Sequence, residues 1–232
     1  YMSRLCVIFC LVIFTSLIHG NEDLFESFIQ LGPEGRGNDQ LVKNWHYVKK
    51  MSSSDIPKLL ETMNKTNALG DNWIRAAIFE LLNDSGKESL PDEEIVRFIK
   101  DKENEGSSRS TAYDFLKLMK PQIAVSLIPT FIDDPELTLR REGVQMLLNQ
   151  ANKLENKEQA IDAFQYALGK AREVDQIESA SQSLESLGEK IDLPKRMGFL
   201  TAWKVIGPFD NTSRNGFGTT YSPENNKMLL DS

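Results

Sequence analysis

Histidine is scarce in this chain: 232 residues contain only two, His19 and His46. Cysteine is equally rare, and both copies, Cys6 and Cys10, fall in the first ten positions. Catalytic triads, zinc sites and disulfide frameworks draw on these two residue types, so the rest of the chain has almost no material for any of them. No His-Glu-x-x-His, Cys-x-x-Cys or Gly-x-Ser-x-Gly occurs, which removes the common zinc-protease, redox and hydrolase signatures. A positive balance is missing as well. With 27 Lys+Arg against 34 Asp+Glu the net charge is −7, and no run of five or more basic residues could form a phosphate-binding patch of the kind nucleic acids need. No apolar stretch is long enough to cross a bilayer as a helix, which takes about 20 residues. The expectation is a noncatalytic protein with no cofactor, no metal and no nucleic-acid partner.

The longest apolar run, Leu5 to Ile18, follows Arg4 and closes at His19-Gly20, ahead of the acidic Glu22 and Asp23. A charged start, an apolar centre and a small residue at its end form the pattern of a cleaved signal peptide over residues 1–20. The expected location is therefore exported (periplasmic, cell surface or extracellular), with membrane contact only during export. Tyr1 precedes Met2, and a strand-like segment beginning at Lys227 stops at Ser232, so the sequence reads as the N-terminal part of a longer protein. Three Asn-x-Ser/Thr tripeptides stand at Asn64, Asn83 and Asn211.

Between residues 21 and 190 the apolar positions recur at helical spacing. Ala112, Phe115, Leu116 and Met119 fall at i, i+3, i+4, i+7, and Trp73, Ile74, Ala77, Ile78, Leu81 and Leu82 form a wider stripe. Ile123, Ala124, Leu127, Ile128, Phe131 and Ile132 form another, and Ala160, Phe164, Ala167, Leu168 and Ala171 precede a partner marked by Ile177, Ala180, Leu184 and Leu187, with Gly188 as its stop. Gly70 is expected to end one helix and Asp71 to cap the next, with Pro91, Pro121 and Pro135 in first turns, where a missing N–H costs nothing. The segment from Gly32 to Asn38 has three glycines but neither a Gly-Lys-Ser/Thr ending nor a preceding strand, and reads as an interhelical turn. His46 reads as a partly buried structural imidazole, and the acidic pairs Glu93-Glu94 and Asp133-Asp134 as helix starts.

A repeat is superimposed on this pattern. Pro57, Pro91 and Pro121 each open an apolar helix, and Arg75, Arg109 and Arg140 follow them by 18, 18 and 19 residues. Seven positions beyond each Arg stand Leu82, Leu116 and Leu147. Periods of 34 and 31 residues between the arginines lie in the range of two-helix units, which stack because each leaves one apolar face that only a neighbour covers. The arginines read as structural ties to a turn Asp or a neighbouring helix. The segment Asp134-Pro135-Glu136-Leu137-Thr138-Leu139-Arg140-Arg141 resembles the middle of a HEAT repeat, and Asn72-Trp73-Ile74-Arg75-Ala76-Ala77 is a weaker match. The period is nearer the tetratricopeptide length, whose Trp-Leu-Gly-Tyr pattern is absent, so the units are HEAT-like. The implied fold is all-α, a right-handed α-α superhelix of stacked helical hairpins.

Leu193-Pro194 is expected to break the helical pattern within a linker at 191–198, and Phe199 to Phe209 reads as a strand closing in a Gly-Pro turn. Trp203-Lys204-Val205-Ile206-Gly207-Pro208-Phe209-Asp210-Asn211, with Gly216-Phe217 and Tyr221-Ser222-Pro223-Glu224, resembles a junction in large exported proteins of planctomycete-type environmental bacteria. There a HEAT-like region leads into a β-sandwich similar to carbohydrate-binding modules. The resemblance implies the first part of such a sandwich at 199–232. Asp210 and Asn211 read as turn residues whose side chains satisfy local backbone amides. The other reading makes them a calcium or sugar contact in the sandwich, with Trp203, Phe217 and Tyr221, otherwise core residues, as stacking groups, and these five are the candidate ligand contacts. The expected function is an exported scaffold with a protein partner. The other reading is an accessory region of a carbohydrate-active or carbohydrate-binding protein, its sugar contact lying in the C-terminal module.

Overall fold

Proline and short polar turns divide the chain into helices. The computed structural model describes residues 22–85, 90–203, 205, 207–221 and 224, and these form two units, one ending at Leu187 and the other beginning at Gly188. The described residues hold eleven α-helices and no strand, so the fold is mostly helical and of the all-α class. The expected signal segment at 1–20 lies outside the described residues.

In the first unit α1 covers residues 22–29 and α2 covers Asn38–Asn44, followed by a 3-10 helix at Trp45–Lys50. Helices α3 (Ile56–Met63) and α4 (Ala68–Ser85) form one successive pair, and α5 (Asp92–Lys100) and α6 (Gly106–Met119) a second. A third joins α7 (Pro121–Leu127), extended by a 3-10 turn at Ile128–Phe131, to α8 (Leu137–Ala151). The fourth joins α9 (Lys157–Lys170) to α10 (Val174–Ser186).

Local chemistry explains the ends. Asp92, Glu93 and Glu94 occupy the first turn of α5 while Arg97 and Lys100 occupy its last, each set matching the sign of the helix dipole. Asn156 caps α9 by accepting a 3.0 Å hydrogen bond from the Gln159 N–H. Pro129 ends α7, since it has no N–H to donate and its ring collides with the carbonyl four residues back. The chain tightens there into the 3-10 turn.

Each pair buries an apolar stripe against the next. In α5 Ile95, Phe98 and Ile99 are buried, and in α6 Ala112, Phe115 and Leu116. A fully buried side chain of this size contributes roughly 1.5–3 kcal/mol. Within each pair the two helices touch, and α3 also packs on α5 and α6, α6 on α7, and α8 on α9 and α10. One continuous core runs from Leu24 to Leu139, with Trp45, Tyr47 and Trp73 at its margin.

Several expectations need correction. Gly70 does not end a helix: it lies inside α4, which Asn67 caps by accepting from the Leu69 and Gly70 N–H groups. Its lack of a side chain serves packing, because a Cβ there would stand 2.7 Å from the Phe28 carbonyl oxygen. Asp71 accepts from the Thr66 hydroxyl instead of capping. Pro135 precedes Glu136, the cap residue of α8, and Pro91 is itself the cap position of α5. Pro194 starts a helix instead of breaking one: α11 (Leu193–Arg196) carries it in its first turn, capped by Asp192. Helix starts tolerate proline, and Asp192 supplies the missing acceptor. His46 is exposed, its Nδ1 2.8 Å from the Lys43 carbonyl oxygen. The helical unit ends at Leu187, three residues before the expected boundary at 190.

In the second unit the described residues of 199–209 form no strand. Phe199, Leu200, Trp203 and Val205 are exposed, the last at 92%. A 3-10 segment at Thr212–Gly218 follows, with Ser213 and Arg214 both at positive φ. Phe209 and Tyr221 stack with their rings 4.6 Å apart.

Candidate functional site

The repeated arginines lie on the second helix of three successive pairs, where their side chains reach between elements. Arg109, in the first turn of α6, is the most deeply placed, with 1% of its surface exposed. Its Nε donates to the Ile99 carbonyl at 2.7 Å, while Nη1 and Nη2 grip the two oxygens of Asp134 at 2.9 and 2.6 Å. Asp134 is equally buried. The same carboxylate accepts from the Glu136 N–H at 2.9 Å, and the Asp134 carbonyl accepts from Arg140 Nε at 2.7 Å. Two of the three arginines therefore converge on the turn before α8. A guanidinium out of water is tolerable only when its donors are used in this way.

Arg75 does a related task by other means. It sits in the second turn of α4, one turn further along than Arg109 and Arg140 in their helices. It donates from Nε and Nη2 to the Thr111 hydroxyl of α6 at 3.1 and 2.8 Å, and from Nη1 to Asn72. Leu82 and Leu116 are buried as the repeat predicts, but Leu147 is half-buried and Leu148 takes the core place. The third unit is thus one residue out of register with the other two. Pro57, Pro91 and Pro121 all stand at the starts of first helices, α3, α5 and α7.

Other ties also join neighbouring pairs. Asn64 donates to Asn104 at 2.8 Å and accepts from the Glu105 N–H at 3.0 Å. Lys117 meets Glu142 at 2.5 Å, Arg141 is bidentate to Asp175 at 2.8 and 2.5 Å, and Lys170 holds Asp133 at 2.7 Å. The pair Asp133-Asp134 is consequently no helix start. One carboxylate faces the pair before and the other the pair after. The Arg141 and Lys170 hydrogen bonds hold the Asp175 and Asp133 carboxyls below their usual range. Being exposed, such pairs carry little stability on their own.

Along the second helices the outer face mixes these charges with Phe79 and Leu118, both about half exposed. Phe79 packs edge-on to buried Phe115 at 5.9 Å. Asp114 is raised from the usual carboxylate range by desolvation, against Lys117 and Arg75, which lower it, while Glu142 adds to the rise. Next to it Tyr113, 2% exposed, is pushed up to about 12, first by burial and then by Glu142 and Asp114. In an unfolded chain a tyrosine titrates near 10. The folded value is higher, so the stabilisation from keeping this phenol neutral is whole below pH 10 and disappears as pH rises toward 12. Tyr113→Phe is expected to flatten the alkaline fall in stability over that window, measured by urea denaturation at stepped pH.

On the side of the first helices, a cleft of about 380 Å³ is lined by Pro57, Glu61, Glu94, Arg97 and Phe98 among others. A more polar one of about 310 Å³ lies between Lys102–Gly106 and Pro135-Glu136. Among the described residues no three His, Cys, Asp or Glu come together as metal ligands. No described helix is long and apolar enough to cross a membrane.

The C-terminal candidates are brought only partly together. Asp210 accepts from the Thr212 N–H at 2.9 Å and its hydroxyl at 2.5 Å, which lowers its carboxyl. Asn211 accepts from the Gly216 N–H at 3.0 Å, and the Tyr221 hydroxyl donates to the Asp210 carbonyl. Trp203 stands apart in the chain and is 74% exposed, and the Phe217 side chain lies outside the described residues. These contacts close a local turn.

The expected tie of a repeat Arg to a turn Asp is met by Arg109 and Asp134, although the sequence pattern does not place that Asp in the next hairpin. The available signal was a carboxylate opening a turn 25 residues downstream of a helix-borne Arg. No protein-family model matches the chain, and neither does any curated protein or solved structure.

Proposed function

We propose that this chain is a noncatalytic scaffold for protein–protein interaction, in which α3 to α10 stack as HEAT-like hairpins of a right-handed superhelix. The observation that carries the reading is the set of side-chain ties joining each hairpin to the next: Arg75 to Thr111, Arg109 to Asp134 and Arg141 to Asp175. Ties of this kind hold neighbouring units in fixed relation and leave a row of second-helix surfaces, Phe79 and Leu118 among them, open to a partner. We further propose export, by way of the apolar segment at 5–18, and a β-sandwich module from Phe199 onward. The exposed Phe199, Leu200, Trp203 and Val205 support the module, since an unpaired strand-forming segment leaves both its faces uncovered.

The carbohydrate-linked alternative gains no support from Asp210 and Asn211, whose oxygens are used by the turn itself. A photo-crosslinking residue placed at Leu118 is expected to capture one defined protein in the native host. The same residue at Arg97, on a first helix, should not. Equal capture at both positions would defeat the reading, as would binding to glycans by the helical unit alone.

A further inference from the structure

The segment from Lys43 to Lys50, Lys-Asn-Trp-His-Tyr-Val-Lys-Lys, concentrates three cations and two aromatics without one carboxylate, in a chain of net charge −7. Its backbone runs from the last turns of α2 into the 3-10 helix at Trp45–Lys50. Leu41, Asn44 and Val48 point inward. That leaves Lys43, His46 and Lys49 at three-residue steps along one outer ridge, with Tyr47 and Lys50 along the next. The Lys50 ammonium lies 4.8 Å from the centre of the Tyr47 ring. Lys43 and Lys49 enter no ion pair among the described residues. The nearest acids in sequence, Asp39 and Asp55, stand outside the segment, and Asp55 is held by the Ser52 N–H at 2.8 Å.

The aromatics continue this surface onto α4. Trp45 meets Trp73 edge to face at 5.2 Å, and both rings are half-buried. Neither indole N–H has a hydrogen-bond partner among the described residues, and neither is fully buried. One helical turn before each tryptophan stands an exposed aliphatic residue, Val42 at 61% and Leu69 at 47%. The patch therefore offers donors, cations and apolar side chains together, with Asp39 one turn before Lys43 and Asp71, held by the Thr66 hydroxyl, at its edge.

We propose that this patch docks on an anionic phospholipid bilayer. A soluble polyanion would meet the lysines and leave Val42 and Leu69 in water. The bilayer interface takes both: phosphates accept from the ammoniums and indoles, and the upper acyl region receives the aliphatic groups. The excess of acid elsewhere in the chain makes this ridge the side that an anionic surface attracts.

The test uses the full chain carrying Trp203→Phe, so that Trp45 and Trp73 are its only tryptophans, with vesicles whose acyl chains are brominated near the carbonyl end. The apolar run at 5–18 would bring the chain to any vesicle, but quenching of these two indoles reports contact at the patch itself. Quenching is expected with phosphatidylglycerol and not with phosphatidylcholine, and is expected to fade as salt shortens the screening length. Lys43→Gln with Lys49→Gln and Lys50→Gln is expected to remove most of the quenching at saturating phosphatidylglycerol, three near-surface cations being worth about 100-fold in the docking equilibrium. Circular dichroism would establish that this variant remains helical, and the three Lys→Arg changes should restore quenching. Equal quenching by both lipids, or quenching unchanged in the glutamine variant, overturns the proposal. So does no quenching by either lipid, including the case where polyglutamate or heparin shifts the emission instead.

Discussion

Asp134→Ala is expected to cost about 3–5 kcal/mol of folding stability, the usual result of leaving a buried charge without its partner. Arg109 would keep one acceptor, the Ile99 carbonyl, while Nη1 and Nη2 would face a void, and the Glu136 N–H would lose its acceptor as well. The magnitude should depend on the stranded guanidinium more than on the lost contact. Arg109→Met combined with Asp134→Leu is therefore expected to recover most of the loss, because two apolar side chains replace a pair whose desolvation nearly offset its attraction. Urea denaturation of Arg109→Met, Asp134→Leu and the double built from them gives the coupling energy. A double variant no more stable than Asp134→Ala would show that the turn geometry, and not the charge, is what matters.

Gly143→Val should be the second large effect. A Cβ at this position of α8 would stand 2.7 Å from the Ile132 nitrogen and 2.8 Å from the Phe131 carbonyl carbon. Both are backbone atoms at the end of the 3-10 turn, so no rotamer change relieves the contact, and the two segments must separate. Overpacking of this kind costs about 1–3 kcal/mol. Gly218→Ala serves as the control, since no heavy atom lies within 4 Å of a Cβ built there, and it should leave stability within roughly 0.5 kcal/mol. A Gly143→Val loss no larger than that of the control would mean that the close approach does not set the cost, since removing a glycine's backbone freedom by itself stabilises.

Helical spacing made most of the first unit legible. The stripes in α4, α6 and α9 follow directly from i, i+3, i+4 periodicity, because a helix in a stacked pair has one side to bury. Punctuation was less readable. Gly70 and Pro194 are residues that commonly end helices, yet one allows a close approach inside α4 and the other opens α11. The same residue type serves either purpose, and only the neighbouring chain decides which. The polar ties were half legible: three arginines at a near-constant spacing were visible, but their partners differ chemically, a hydroxyl for Arg75, a carboxylate for Arg109 and a carbonyl for Arg140. The ridge at Lys43–Lys50 was missed because a threshold of five basic residues ignores the emptiness of acid around three. From Phe199 onward, alternating apolar residues favour a strand, but pairing is a long-range event that no local pattern supplies.

The side-chain ties described above join each hairpin only to its immediate neighbours, which has a mechanical corollary. Pulled from its two ends, such a chain should yield in steps, surrendering a terminal hairpin before the middle ones feel load. The second and third hairpins, each clasped from both sides and joined to one another through Arg109 and Asp134, should be the last to let go.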